Sequence, residues 1–209
     1  MAFLGLIAVE RGHARGAFLW MLAATLVDST DGVFARWANV RAYAPGVDGA
    51  KLDDIVDYLT FVFLPAYLVY HFRMVPDGWG IVVVTAMLLS SAFGFSLNDA
   101  KTHDHFFTGF PSYWNVVVLY LYALATAAVV NAAVLLSLAA LVFVRVGYIY
   151  PTRTLAWRRV TLSLGALWGA VIVAVVWMLP QAPGALVIAS LAFPVYYIVL
   201  SLVLQRRRP

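Results

Sequence analysis

Cysteine is absent from the 209 residues, which excludes disulfides, zinc–thiolate sites and thiol catalysis. Charge is scarce. Asp, Glu, Lys and Arg make up 11% of the chain against 64% apolar residues, and the mean hydropathy is +0.88. A chain this poor in charge cannot clothe a soluble surface and reads as an integral membrane protein. Soluble linkers, internal repeats and low-complexity tracts are also missing, so one membrane-embedded domain over residues 1–209 is expected. The net charge of +4 comes without a basic patch interleaved with aromatics, so no nucleic-acid partner is indicated. It is explained instead by cytoplasmic loops and anionic lipid headgroups. Met1–Val9 is apolar but has neither a basic start nor a small-residue cleavage site after it, so no cleavable signal peptide is expected.

What is present is a succession of apolar runs. Met1–Val9 gives about 14 Å of helix, too short for a hydrocarbon core of about 30 Å, and reads as a partial span. Seven runs of near-spanning length follow: Gly16–Arg36, Lys51–His71, Trp79–Leu97, Tyr113–Val130, Ala132–Tyr150, Val160–Leu179 and Gly184–Leu204. The expected fold is therefore all-α, a polytopic helical bundle with seven full transmembrane helices plus a short N-terminal partial one. Pro65 is expected to kink its helix. Asn131 is the sole polar residue at the junction Val130–Ala132, where a tight turn is expected. If the loop from Arg36 to Lys51 is cytoplasmic, eleven of the fourteen Lys and Arg fall on that side and only Arg11, Arg15 and Arg73 on the other. The positive-inside rule selects that orientation and predicts a multi-pass protein with its acidic stretch facing the cytoplasm.

The acids are concentrated. Six of the ten lie between Asp28 and Asp57. Asp28 and Asp31 stand three apart, and Asp53 and Asp57 four apart, the spacings that share a helix face. The stretch reads as two helices joined by a loop around Arg41–Asp48, pointing four carboxylates at each other. Gly32, Ala35 and Gly49 leave those faces nearly bare, so something bulky can lie against the backbone. Four converging carboxylates need cations to stay ionised. Hard divalent ions suit an oxygen-only donor set, and two of them form the usual clamp for displacement at phosphorus. The predicted ligands of two Mn²⁺ or Mg²⁺ ions are Asp28, Asp31, Asp53 and Asp57. Asp54 lies about 100° around its helix from Asp53 and is not counted among them.

Asp28-x-x-Asp31-Gly32-x-x-Ala35-Arg36, twelve residues, then Gly49-x-x-x-Asp53-x-x-x-Asp57 resembles the complete signature of the CDP-alcohol phosphatidyltransferases at all eight positions. The resemblance implies attack of an alcohol on the β-phosphate of CDP-diacylglycerol, with CMP leaving, and it implies a homodimer. It implies that Asp57 takes the proton of the attacking hydroxyl and that Arg36 pairs with a phosphate oxygen. Gly32 and Ala35 then leave space for cytidine and ribose, and Gly49 lets the second helix approach closely.

The signature does not choose the acceptor. The aromatic loop HFFTGFPSYWN, with YLTFVFLPAY upstream and YIYPTRT downstream, is similar to the bacterial phosphatidylcholine synthases, which implies choline. Choline's quaternary ammonium cannot donate a hydrogen bond and is held by aromatic rings. Tyr58, Phe106, Phe107, Phe110, Tyr113 and Trp114 are the candidates, with Tyr58, Phe107, Tyr113 and Trp114 the principal four. Asp54 and Asp104 are possible counter-charges. His103 and His105 read as surface-loop residues. Arg153, Arg158 and Arg159 suit either lipid phosphates or the positive-inside pattern. Serine, inositol phosphate and glycerol-3-phosphate remain as alternative acceptors, and a cation transporter with midplane acids as an alternative of another class.

Overall fold

Apolar runs in this chain resolve into helices, as a backbone in hydrocarbon must satisfy its own hydrogen bonds. The computed structural model describes residues 1–97, 106–149 and 157–206. Expectations placed on Asp104, His103, His105 and Arg153, and on the side chains of Phe106 and Phe107, lie outside the described residues. In chain order the elements are α1 (Ala2–Glu10), α2 (Ala14–Trp37), the single turn α3 (Val40–Tyr43), α4 (Gly49–Asp57), a π-helical segment (Tyr58–Phe63), α5 (Leu64–His71) and α6 (Gly80–Ser96). Then come β1 (Phe106–Thr108), α7 (Trp114–Ala123), α8 (Ala128–Leu141), β2 (Gly147–Ile149), α9 (Arg158–Trp177), α10 (Gly184–Ser190) and α11 (Ala192–Gln205). Among the described residues three helices are long and apolar enough to cross a membrane: Ala14–Trp37, Arg158–Trp177 and the run Gly184–Gln205. Shorter apolar helices span Gly80–Ser96, Trp114–Ala123 and Ala128–Leu141. A contiguous apolar core runs from Val9 through Phe18, Leu64, Met87, Trp114 and Leu135 to Val176 and Val187. Among the described residues the protein, an integral membrane protein, is helical apart from one small hairpin.

One detail refines the sequence reading and three depart from it. Pro65 is preceded by the π-helical segment. Lacking an N–H, it cannot continue the regular ladder, and the wider turn absorbs the defect. Thr60 Oγ1 donates back to Val56 O at 3.0 Å within it. The expected turn at Val130–Ala132 is displaced to 124–127, and Asn131 lies inside α8, where it is buried. Its Nδ2 donates to Met74 O at 2.6 Å and Thr126 O at 3.3 Å, and Thr126 Oγ1 donates to its Oδ1 at 2.5 Å. Asn131 thus closes the turn from one helical turn away.

The other two departures belong together. α7 runs from Trp114 only to Ala123, where the 124–127 turn ends it, and the residues before it are extended. β1 pairs antiparallel with β2, Phe107 opposite Tyr148. Gly109 N–H then donates to Val146 O at 2.8 Å and Phe110 N–H to Leu141 O at 3.2 Å. Gly109 has φ +79°, and a Cβ there would overlap Val142 O. Non-helical backbone is tolerated at this depth because protein groups satisfy it. Ala132–Tyr150 is accordingly a helix ending at Leu141 followed by a strand, rather than one span.

Candidate functional site

α2 carries Asp28 into its C-terminal third, and α4 carries Asp53 and Asp57. α4 begins where Asp48 Oδ1 accepts the N–H groups of Ala50 and Lys51 at 3.1 and 3.2 Å. That cap fixes the phase of the helix, so that Asp53 and Asp57, four apart, face α2 together. One carboxylate oxygen each from Asp28, Asp53 and Asp57 lie within 4.8 Å of one another, and all three residues are half-buried. This oxygen-only donor set at short range fits a hard divalent cation. Asp31, the fourth predicted ligand, is exposed and stands outside this trio, one turn farther along α2. The structure therefore brings together three of the four.

Arg36 is exposed, and among the described residues its guanidinium makes no hydrogen bond or ion pair. It lies back over Gly32: a Cβ at Gly32 would come within 3.3 Å of Arg36 Nη1. The bare position at Gly32 thus accommodates the arginine as well as the space expected for a ligand. Ala35 is exposed on the same helix end. Gly49 is a correction. It was expected to let two helices approach closely, but no atom lies within 4 Å of a Cβ placed there. At the first residue of α4, beside the Asp48 cap, it borders open space.

The aromatic candidates separate. Tyr58 donates its hydroxyl to Leu88 O at 2.9 Å and meets Phe95 edge-on, tying the π-helical segment to α6. Trp114 is fully buried, its indole N–H donating to Ser91 Oγ at 2.7 Å and its ring edge-on to Phe110 at 5.0 Å. It packs the core and has no open face. Tyr113, at the start of α7, is 37% exposed and packs on Tyr197, which stacks on Tyr148. Sequence reasoning missed Tyr148 and Tyr197, because tyrosines in apolar runs read as interfacial anchors. Asn115 joins this region to α2, its Nδ2 donating to Thr25 Oγ1 at 3.4 Å, one helical turn before Asp28.

Proteins named phosphatidylcholine synthase are similar to this chain. That of Legionella bozemanae is 44% identical over 137 residues, 65% of this chain and 63% of its own. That of Pseudomonas aeruginosa is 36% identical over 168 residues, 80% of this chain and 71% of its own. That of Rhizobium meliloti is 31% identical over 205 residues, 98% of this chain and 85% of its own. This chain spans less than two thirds of the Legionella proteins it matches, 63% and 54% of their lengths. No family model matches the chain. The Rhizobium match takes in nearly the whole chain, both acidic helices included, and on that ground the chain belongs to the phosphatidylcholine synthase family.

Proposed function

We propose that the protein transfers the phosphatidyl group of CDP-diacylglycerol to choline, releasing CMP, at the cytoplasmic face of a bacterial inner membrane. The observation that carries this reading is the convergence of Asp28, Asp53 and Asp57 from two helices, with oxygens within 4.8 Å of one another, in a chain of this family. In the reaction the choline oxygen attacks the β-phosphorus, the bond from that phosphorus to the bridging oxygen breaks, and CMP departs with the bridging oxygen. Asp28, Asp53 and Asp57, with Asp31 swung in beside them, would hold two divalent cations, Mn²⁺ or Mg²⁺. When bound, such ions neutralise the diphosphate and stabilise the charge that builds on the leaving CMP.

The remaining work falls to the chain. Asp57 receives the choline hydroxyl proton, which requires a carboxylate within hydrogen-bond reach of the attacking oxygen. Arg36, exposed and unpaired among the described residues, supplies a fork of donors to a phosphate oxygen. The open space at Gly49 and the short side chains of Gly32 and Ala35 receive the nucleotide. The seven-crossing topology belongs to the same reading: Arg15 lies in the first turn of α2 and His71 closes α5, each at the far end of its helical run from Asp28 and Asp57. A homodimer is included on the family resemblance.

The test is an assay of CMP release from CDP-diacylglycerol by the purified protein with Mn²⁺ or Mg²⁺, offered choline, serine and glycerol-3-phosphate in turn. Release with choline alone is the expected result. Release with serine or glycerol-3-phosphate instead would reassign the acceptor, and no release with any of them would overturn the transferase reading.

A further inference from the structure

Three tyrosines from elements far apart in sequence meet at one place: Tyr113 before α7, Tyr148 in β2 and Tyr197 in α11. Tyr148 and Tyr197 lie nearly parallel, 14° between planes and 6.3 Å between centroids. Tyr113 meets Tyr197 at 63° and 6.4 Å. All three rings are partly exposed, and they form two walls of a corner.

The corner is held from behind. Tyr197, Ser201 and Gln205 recur every four residues along one face of α11 and bond the free edge of β2. Tyr197 OH donates to Ile149 O at 2.9 Å, Ile149 N–H donates to Ser201 Oγ at 3.1 Å, and Gly147 N–H donates to Gln205 Oε1 at 3.0 Å. These bonds clamp the backbone on both sides of Tyr148. They also occupy the Tyr197 hydroxyl, which holds its ring stacked on Tyr148 and inclined to Tyr113. Burial raises the Tyr148 phenol above its ordinary pKa, so that ring stays neutral. Through the Asn115–Thr25 contact the corner sits next to α2, and Thr25 precedes Asp28 by three residues, about 4.5 Å of helix rise.

Interfacial tyrosines are common in membrane proteins, but an anchor needs only its own hydroxyl in the headgroup layer. Here the Tyr197 hydroxyl is spent on backbone, and a ladder of three side chains holds the rings in mutual register. A cation within about 6 Å of a ring centroid is attracted by the ring's face, and these centroids are spaced so that one cation can touch more than one ring. We propose that Tyr113, Tyr148 and Tyr197 form the subsite for the trimethylammonium group of the acceptor. The proposal rests on the choline reading above and names residues for it that replace the buried Trp114.

The test compares Tyr113→Leu and Tyr148→Leu with Tyr113→Phe and Tyr148→Phe, since Leu removes the ring and Phe keeps it. Tyr197 is left intact because it also pins β2. With the purified protein, each Leu variant is expected to raise the choline KM about tenfold while the Phe variants stay within about twofold and the KM for CDP-diacylglycerol is unchanged. The neutral isostere 3,3-dimethylbutan-1-ol should be a poor acceptor for the unaltered protein and no poorer for the Leu variants. An unchanged choline KM in both Leu variants overturns the subsite alone. So does a parallel rise in both substrates' KM, or an equal loss in Phe and Leu variants. Failure of the unaltered protein to use choline overturns the choline reading and the subsite with it.

Discussion

The two ends of the helical bundle spend their polar side chains differently. At the end that gathers the chain turns around residues 11–15, 72–79, 124–127 and 178–183, side chains are consumed in closing the chain. Arg15 donates through Nε and Nη2 to Leu179 O, Asn131 to Met74 O and Thr126 O, and the Tyr67 hydroxyl to Glu10. At the end formed by the C-terminus of α2 and by α4, two charged side chains and much of the helix surface stay open to solvent. α4 buries no residue, Gly49 borders open space, and Asp31 and Arg36 are exposed with no side-chain partner among the described residues. Polar groups satisfied internally stabilise a fold, whereas polar groups left to solvent on half-covered helices contribute little to it. On this contrast the first end stabilises the fold and the second is left open, as the proposed site requires, and mutations at the two ends can break it.

The largest effect belongs to the acidic end. Asp28→Asn, Asp53→Asn and Asp57→Asn each keep the shape of the side chain while removing a full negative charge from the trio. Transferase turnover should fall at least about 10³-fold, the equivalent of about 4 kcal/mol of lost transition-state stabilisation. Thermal stability without divalent ions should be unchanged or higher, because mutual repulsion of the carboxylates is relieved. Asp31→Asn tests whether the exposed fourth acid joins the trio when substrate binds, and the same loss is expected. Near-normal turnover in any two of these variants would remove the metal assignment.

At the closed end the sign reverses. Asn131→Ala leaves Met74 O and Thr126 without their donors inside the bundle. It should destabilise the protein by about 1–2 kcal/mol, read as a lower midpoint in thermal unfolding in detergent, with KM values for both substrates unchanged. A change in KM without a change in stability would erase the distinction between the two ends.

Much of this contrast was legible in the sequence, and its failures have physical causes. Helix spacing put Asp53 and Asp57 on one face of α4, and the expectation of two helices joined by a short loop brought Asp28 to them. Asp31 differs because a three-residue step turns it about 60° from Asp28 around the helix. The hairpin was not legible: HFFTGF and VGYIY look like loop and helix end, and β2 is held by a clamp from α11, 48 to 58 residues on. Trp114 looked like a ligand-binding aromatic because sequence shows ring density, not which rings the core takes. The 124–127 turn was missed because its left-handed residue is an alanine, with no Gly or Pro to mark it.

That alanine sets the smallest and most local prediction. Ala125 has φ +47°, its N–H donates to Tyr122 O at 3.1 Å, and Thr126 N–H donates to Leu121 O at 3.2 Å, the helix-ending pattern in which glycine is the usual residue. The same pattern closes α1, where Gly12 has φ +70°, Gly12 N–H donates to Val9 O at 2.8 Å and His13 N–H to Ala8 O at 2.8 Å. One end of the bundle therefore contains the same turn with and without a Cβ. An L-residue in this region costs about 1–2 kcal/mol, and glycine's greater freedom in the unfolded chain returns roughly 0.5–1 kcal/mol of that. Ala125→Gly should then stabilise by about 0.5 kcal/mol, and Gly12→Ala, which meets no atom within 4 Å and suffers only the backbone strain, should destabilise by a similar amount. Neither should alter turnover, since both lie at the end opposite the carboxylates. Opposite shifts in the unfolding midpoint would show that backbone geometry sets stability there. A loss of stability in Ala125→Gly would mean that the helix continues through residue 125, restoring the longer span that the apolar pattern suggested.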